Sequence, residues 1–345
     1  MVKIPEKYSK SRISLSMAGS GNPWDYFIES SKLTLRSLHD GYSLKEIQEM
    51  LEITKEELLK RINLLISASL IRKENEKYTP TFLIVDEEET KQTVTHSKKI
   101  GRIIADEFKT HLNEIIIEYE KLDISQIHLF DDLSFLLVGS KILDIALLEE
   151  LAKDKTLLIP APKRPSPKRP DAQYYFFMVE GPVESLGQYG EDSKDLPFEN
   201  WNFVTFGKNI INGKYNEPRG KVEKKCDELR ENNKLSNPEE YAISLKVPFL
   251  SKKDSIKWRE FCNKIANRIL IKIKEYKEEL LKFYSELKTS KYADDSFGEF
   301  FCWYFHLAYA WAIDFLTDEK VIKMPPEKYS AIVIYYEDPQ GLLVK

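Results

Sequence analysis

The sequence predicts an α+β protein, on three observations. Two closely spaced helix-start signals sit within a set of short amphipathic helices between Asp25 and Ile66. Long stretches with apolar residues at steps of three and four follow, from Val94 to Leu122 and from Trp258 to Leu287. Three short runs rich in β-branched and aromatic residues, Tyr174–Val179, Asn202–Phe206 and Ala331–Tyr336, read as strands. The expected architecture is a small N-terminal helical unit with a hairpin, a long connecting helix, and a larger, mostly helical α+β domain with a small sheet.

Composition bounds the partners. The chain has 345 residues, enough for two domains and a sizeable core. Lys plus Arg number 52 against 56 Asp plus Glu, a net charge of −4. Nothing global therefore draws the chain to nucleic acid or membrane, and any such binding must come from a local patch. Cys226, Cys262 and Cys302 lie far apart without paired spacing. That pattern points to a reducing compartment and no disulfide framework. No charged-then-apolar leader opens the chain, so a cytoplasmic protein is expected.

Residues 1–24 carry Lys3, Lys7, Lys10 and Arg12 against Glu6 and read as a flexible basic arm. Asp25–Leu38 then has Phe27, Ile28, Leu35 and Leu38 at roughly helical spacing, closed by Asp40-Gly41. Ser43-Leu44-Lys45-Glu46 is a capping box, in which the serine side chain and the glutamate side chain satisfy each other's backbone N–H. Leu44, Ile47, Met50 and Leu51 form one apolar face. After Glu52-Ile53-Thr54 a second box begins, Thr54-Lys55-Glu56-Glu57, and Leu58, Ile62, Leu65 and Ile66 face inward. Two short capped helices joined by a tight turn are the helix-turn-helix pattern. Leu70–Glu74 and Lys77–Phe82, joined through Asn75-Glu76, read as a two-stranded hairpin.

The order of three helices and a hairpin, with the string SASLIRKENEKYTPTFLIV, resembles the winged helix-turn-helix domains of ArsR- and MarR-type transcription regulators over residues 25–85. The resemblance implies a third helix in the major groove of double-stranded DNA and a wing touching phosphate. The contacts it places here are Lys55, Lys60, Asn63, Arg72, Lys73 and Lys77. Charge argues the other way. Nine cations stand against ten anions over 25–85, Glu56 lies on the outward face of the third helix, and Glu74-Asn75-Glu76 makes an acidic tip. The alternative is a protein-interaction adaptor whose winged helix no longer binds DNA.

Asp86-Glu87-Glu88-Glu89 opens a helix expected to run to Leu122, either pairing subunits of a homodimer or docking on its own C-terminal domain. The C-terminal domain is expected over 123–345. Ile124–Lys153 continues helical, divided at Gly139-Ser140, and Thr156–Ile159 reads as a strand. Pro160–Pro170 repeats Pro-Lys-Arg-Pro, an extended path that presents four cations as an anion site or as a stiff solvated connection. Gly181–Glu199 reads as a loop, Val222–Arg230 as a polar helix, Tyr241–Val247 as a short strand and Lys253–Lys288 as one helix. Ser296-Phe297-Gly298-Glu299 caps a last helix that is apolar nearly all round, the mark of a central core helix. Its Glu299, His306 and Asp314 argue against a membrane span.

Helical spacing places Glu299, Trp303, His306, Ala310 and Asp314 along one face of that helix. Trp303, His306 and Asp314 are the expected contacts of a small-molecule effector, against the simpler reading that they are partnered core residues. Cys302 and His306 at i, i+4, with Cys262, lack a fourth ligand, so neither metal nor cofactor is expected. With 13 glycines, no phosphate-cradling loop, no HExxH and no GxSxG, the chain offers no nucleophile or base to name and reads as a non-enzyme. The expected function is a DNA-binding transcription regulator with a ligand-sensing C-terminal domain. In it an effector changes the spacing of two recognition helices.

Overall fold

Ile13, Leu15 and Met17 recur at a period of two, and the chain there is a strand, β1 (Ile13–Ser20). The computed structural model describes residues 12–28, 30–75, 77–181, 189–208, 217–232, 235–291, 296–324 and 330–337. β1 corrects the expectation of a flexible arm over 1–24, because every residue of it pairs antiparallel with β5 (Gln173–Glu180). Lys3, Lys7 and Lys10 lie outside the described residues.

Three helices follow, α1 (Ser31–His39), α2 (Leu44–Leu51) and α3 (Lys55–Ser67). The helix expected over Asp25–Leu38 is divided. Pro23–Tyr26 is a 3-10 turn, and Ser30 at φ 62° redirects the chain into α1. Both capping boxes form: Glu46 N–H donates to Ser43 Oγ and Ser43 N–H to the Glu46 carboxylate, and Thr54 and Glu57 repeat the exchange. β2 (Ile71–Glu74) and β3 (Lys77–Pro80) form the hairpin, with Asn75 at φ 55° in its turn. Asparagine tolerates that left-handed conformation better than most residues. β4 (Leu83–Val85) then pairs parallel with β5, giving a sheet of order β1-β5-β4.

β5 is apolar almost throughout because both of its faces are covered. Tyr174, Phe176 and Met178 pack with Leu35, Ile47, Leu58 and Ile62 of the N-terminal helices. Tyr175, Phe177 and Val179 pack into the main helical core. The N-terminal unit is thus seated on one side of a sheet whose other side is the wall of the C-terminal domain.

α4 (Glu87–Thr110) and α5 (Leu112–Tyr119) occupy the expected long helix, divided at His111. The stripe of α4 is filled by α12 (Ser296–Asp318) of the same chain. A Cβ on Gly101 would lie 2.5 Å from Trp311 Cβ and 2.7 Å from the Ala308 carbonyl, which shows how closely the two helices cross. Of the two arrangements expected for this helix, the structure shows the stripe docked on the chain's own C-terminal domain.

α6 (Phe130–Ser134), a π-helical stretch (Phe135–Ala146) and α7 (Leu147–Asp154) run on without the expected break at Gly139-Ser140. Gly139 instead admits the Phe206 ring, which a Cβ would meet at 2.5 Å. Residues 156–159 are not a strand. A second sheet, antiparallel in the order β6-β7-β8, joins β6 (Tyr189–Asp195), β7 (Trp201–Lys208) and β8 (Ser330–Tyr336). β6 lies in the stretch expected as loop, of which residues 182–188 are outside the described set.

Val204, Phe206, Val333 and Tyr335 face the main core. Phe203 and Ile334 face a smaller cluster with α8 (Glu217–Asn232) and α9 (Pro238–Leu245). α9 replaces the strand expected at Tyr241–Val247. Asn237 accepts from Glu240 N–H and Pro238 sits at the first helical position, both helix-start devices. α10 (Lys252–Lys274) and α11 (Lys277–Glu286) take the place of one long helix. The protein is mixed α and β with small sheets, layered as N-terminal helices, first sheet, helical core, second sheet and α8–α9. Among the described residues no helix is long and apolar enough to cross a membrane.

Candidate nucleic-acid interface

α3 is held by three buried side chains, with Ile66 packed partly beside them, and its opposite face is open. Leu58, Ile62 and Leu65 are fully buried. Lys55, Glu56, Lys60 and Asn63 are exposed, and with half-buried Leu59 and Leu64 they line a shallow open depression. The C-terminal domain leaves this face in solvent.

The hairpin offers less. Arg72 Nε is 2.9 Å from the Glu74 carboxylate, so part of its charge is satisfied locally. Lys73 Nζ lies 5.4 Å from the centre of the Tyr78 ring, and Lys77 is exposed. The six residues expected at DNA are thus all on the surface of the N-terminal unit.

Two buried ion pairs fix the orientation of this unit. Arg36 on α1 is bonded to Glu180 at the end of β5 and to Asp40. Burial pushes the Glu180 carboxyl up, and the Arg36 guanidinium opposes that shift. On the other side, Arg164 Nη2 lies 2.6 Å from Glu299 Oε1, with both side chains buried. Glu299 accepts from Phe176 N–H at 2.9 Å and Leu83 N–H at 3.0 Å, so one carboxylate of α12 ties β4 to β5. Burial raises the Glu299 pKa, opposed first by Arg164 and then by the Phe176 N–H.

Glu299 thus closes a contact to the sheet. The side chain of Ser296, expected to cap the helix, lies outside the described set. One expectation is corrected. Arg164 of the Pro-Lys-Arg-Pro segment is buried structure, where four solvated cations were expected. It also donates to the Thr81 carbonyl at 3.0 Å, while Ser69 Oγ donates to the Pro165 carbonyl at 3.1 Å. The segment therefore braces the root of the hairpin. Lys168 pairs with Asp25 at 2.9 Å.

The three residues expected at an effector are each engaged by a different neighbour. Trp303 is buried with its ring 6.3 Å from that of Phe300. His306 Nδ1 is 2.6 Å from the Cys302 carbonyl, and burial lowers the imidazole pKa. Asp314 Oδ1 accepts from the Tyr189 hydroxyl at 2.7 Å. They behave as partnered core residues of α12.

A polar cluster that the sequence reading missed lies where the π-helical stretch meets β6. Lys141 Nζ is 2.5 Å from Glu191 Oε2, and Ser140 Oγ donates to the same carboxylate. Asp144 accepts from Glu191 N–H at 3.2 Å. Burial, reinforced by the nearby Glu191 charge, pushes the Asp144 carboxyl up to about 7. Two ionisable residues three apart inside an otherwise buried apolar run were the available signal. Such groups are retained only when paired. Among the described residues no group of three His, Cys, Asp or Glu side chains is placed to hold a metal.

Comparison of the chain with protein families, with curated proteins and with solved structures gives no match.

Proposed function

We propose that the chain is a DNA-binding transcription regulator whose three N-terminal helices and hairpin act as a winged helix-turn-helix domain. The observation that carries this reading is the open face of α3, with Lys55, Lys60 and Asn63 in solvent on a helix rigidly seated by its opposite side. Lysine and asparagine on one helical face suit contact with phosphates and with the edges of guanine and adenine. Lys73 and Lys77 supply the cations of the wing. A homodimer belongs to this reading, with a pairing surface other than the stripe of α4. So does a small-molecule effector held by the C-terminal domain.

The test is the double substitution Lys60→Glu and Lys73→Glu. Both residues are exposed, so thermal stability is expected to stay within about 0.5 kcal/mol of the parent. DNA affinity is expected to fall by roughly tenfold or more, with a shallower salt dependence. Unchanged affinity would remove the assignment.

A second reading has its own observation. Leu59 and Leu64 are half-buried on the same face, beside exposed Glu56. That mixture also suits an adaptor that docks a protein there. A partner whose binding is lost on Leu64→Asp, in a chain that shows no DNA affinity, would favour it.

A further inference from the structure

Residues 162–174 fold as a second hairpin that leads into β5. Arg164 N–H donates to the Ala172 carbonyl at 2.9 Å, and Tyr174 N–H to the Pro162 carbonyl at 3.2 Å. At the tip Ser166 and Arg169 exchange N–H and carbonyl at 3.0 Å in both directions, which leaves Pro167-Lys168 as a two-residue turn. Pro162, Pro165, Pro167 and Pro170 fix φ along this path and stiffen it. Arg164 points inward to Glu299, with both side chains buried. Lys163, Lys168 and Arg169 are exposed, against one exposed anion of the segment, Asp171.

The second observation is where this hairpin is fastened. Ser69 Oγ, two residues past the end of α3, donates to the Pro165 carbonyl at 3.1 Å. Arg164 Nη2 donates to the Thr81 carbonyl, just beyond β3, at 3.0 Å. Lys168 Nζ reaches Asp25 at 2.9 Å, and the neighbouring Trp24 is 43% exposed. Asn63 and Ser67 are four residues apart on α3, about 6 Å along its axis at about 1.5 Å per residue. The cationic hairpin therefore flanks the C-terminal end of the open α3 face. The first hairpin is poorer in available charge, since Arg72 is already paired with Glu74 beside the turn.

We propose that this segment is a second wing, and that Lys163, Lys168 and Arg169 bind the phosphate backbone of DNA beside the groove that α3 enters. The proposal rests on the DNA reading of α3 and names an element that supplies its phosphate contacts. Such contacts set register and orientation, and they call for cations on a rigid support. The buried Arg164–Glu299 pair gives that support by anchoring the hairpin to α12. A major groove is about 12 Å wide. An element fixed about one helical turn beyond Asn63 stands over the backbone that borders it. The Asp25–Lys168 pair is exposed on both sides, and such a pair is worth no more than about 1 kcal/mol. Phosphate can take the place of the Asp25 carboxylate, and the Trp24 indole then meets the adjoining sugar. DNA is favoured over an acidic peptide because a duplex, with one charge about every 1.7 Å, engages the hairpin and α3 at once.

The experiment compares the full chain with a triple variant, Lys163→Gln, Lys168→Gln and Arg169→Gln, on genomic DNA fragments across a salt series. A second triple variant, Lys221→Gln, Lys224→Gln and Lys225→Gln, removes the same charge from α8 in the far layer of the fold. All six side chains are exposed, and thermal melts check that both variants fold. The hairpin variant is expected to lose about 0.9 of salt slope for each contact removed and to bind roughly tenfold more weakly, with the same fragments enriched. The α8 variant is expected to bind as the parent does. An unchanged slope in the hairpin variant, where the parent binds and Lys60→Glu impairs binding, would overturn the proposal and leave the DNA reading of α3 standing. An equal loss in the α8 variant, or a changed choice of fragments by the hairpin variant, would also overturn it. A parent that binds no DNA at about 50 mM salt would overturn both.

Discussion

α3 and α12 are both helices that organise their surroundings, and they spend their surfaces in opposite ways. α3 buries three side chains, Leu58, Ile62 and Leu65, and keeps its charged residues in water. α12 is buried nearly all round, with Phe300 to Phe305, Tyr309, Ala312, Ile313 and Leu316 inside. The polar groups of the two helices consequently differ in availability. Lys60 and Asn63 remain open to a partner, whereas Glu299, His306 and Asp314 are already bonded within the chain. A polar residue on an amphipathic helix is a candidate contact. On a helix surrounded by protein it is first a group that needs a partner of its own.

That contrast can be broken at α12. Glu299→Ala would leave the Arg164 guanidinium buried without its counter-charge, and the N–H groups of Leu83 and Phe176 without an acceptor. A loss of about 3–5 kcal/mol is expected in chemical denaturation. A loss below about 1 kcal/mol would mean that water replaces the carboxylate and that the joint between β4, β5 and α12 is loose. Next in size is Gly101→Val. The added side chain would meet Trp311 and the Ala308 carbonyl, and the expected cost is about 1–3 kcal/mol from overpacking between α4 and α12. A neutral outcome would show that the two helices part easily, leaving the stripe of α4 available to another subunit.

The smallest effect concerns the cluster at the π-helical stretch. The Asp144 carboxyl is raised by burial to about 7, so the folded chain holds this proton more tightly than the unfolded chain does. Stability from this group is present at low pH and is lost as pH rises from about 4 towards 7. Asp144→Asn should remove that part of the slope, so that the variant gains on the parent above neutral pH. Parallel denaturation midpoints for the two chains from pH 4 to 8 would contradict the assignment.

What was legible in the sequence was local. The capping boxes at Ser43 and Thr54 involve residues three apart, and they marked α2 and α3 correctly. The strands around Tyr174, Asn202 and Ala331 were visible in their β-branched and aromatic content. What escaped depends on distant partners. Ile13, Leu15 and Met17 alternate, but only the pairing with β5 more than 150 residues away makes that short run a strand. Arg164 reads as one more cation in a proline-rich segment until Glu299 is placed beside it. Asn237-Pro238 was a helix start that the apolar residues after it disguised as a strand.

The central claim is that the open face of α3 meets DNA. It is tested most directly by measuring binding of the full chain to mixed genomic fragments across a salt series. The account predicts enrichment of particular fragments, and an affinity whose logarithm falls with the logarithm of salt concentration at a slope of about −0.9 per phosphate contact. Absence of binding at about 50 mM salt, where phosphate contacts are strongest, would contradict it and favour a protein partner for the same face.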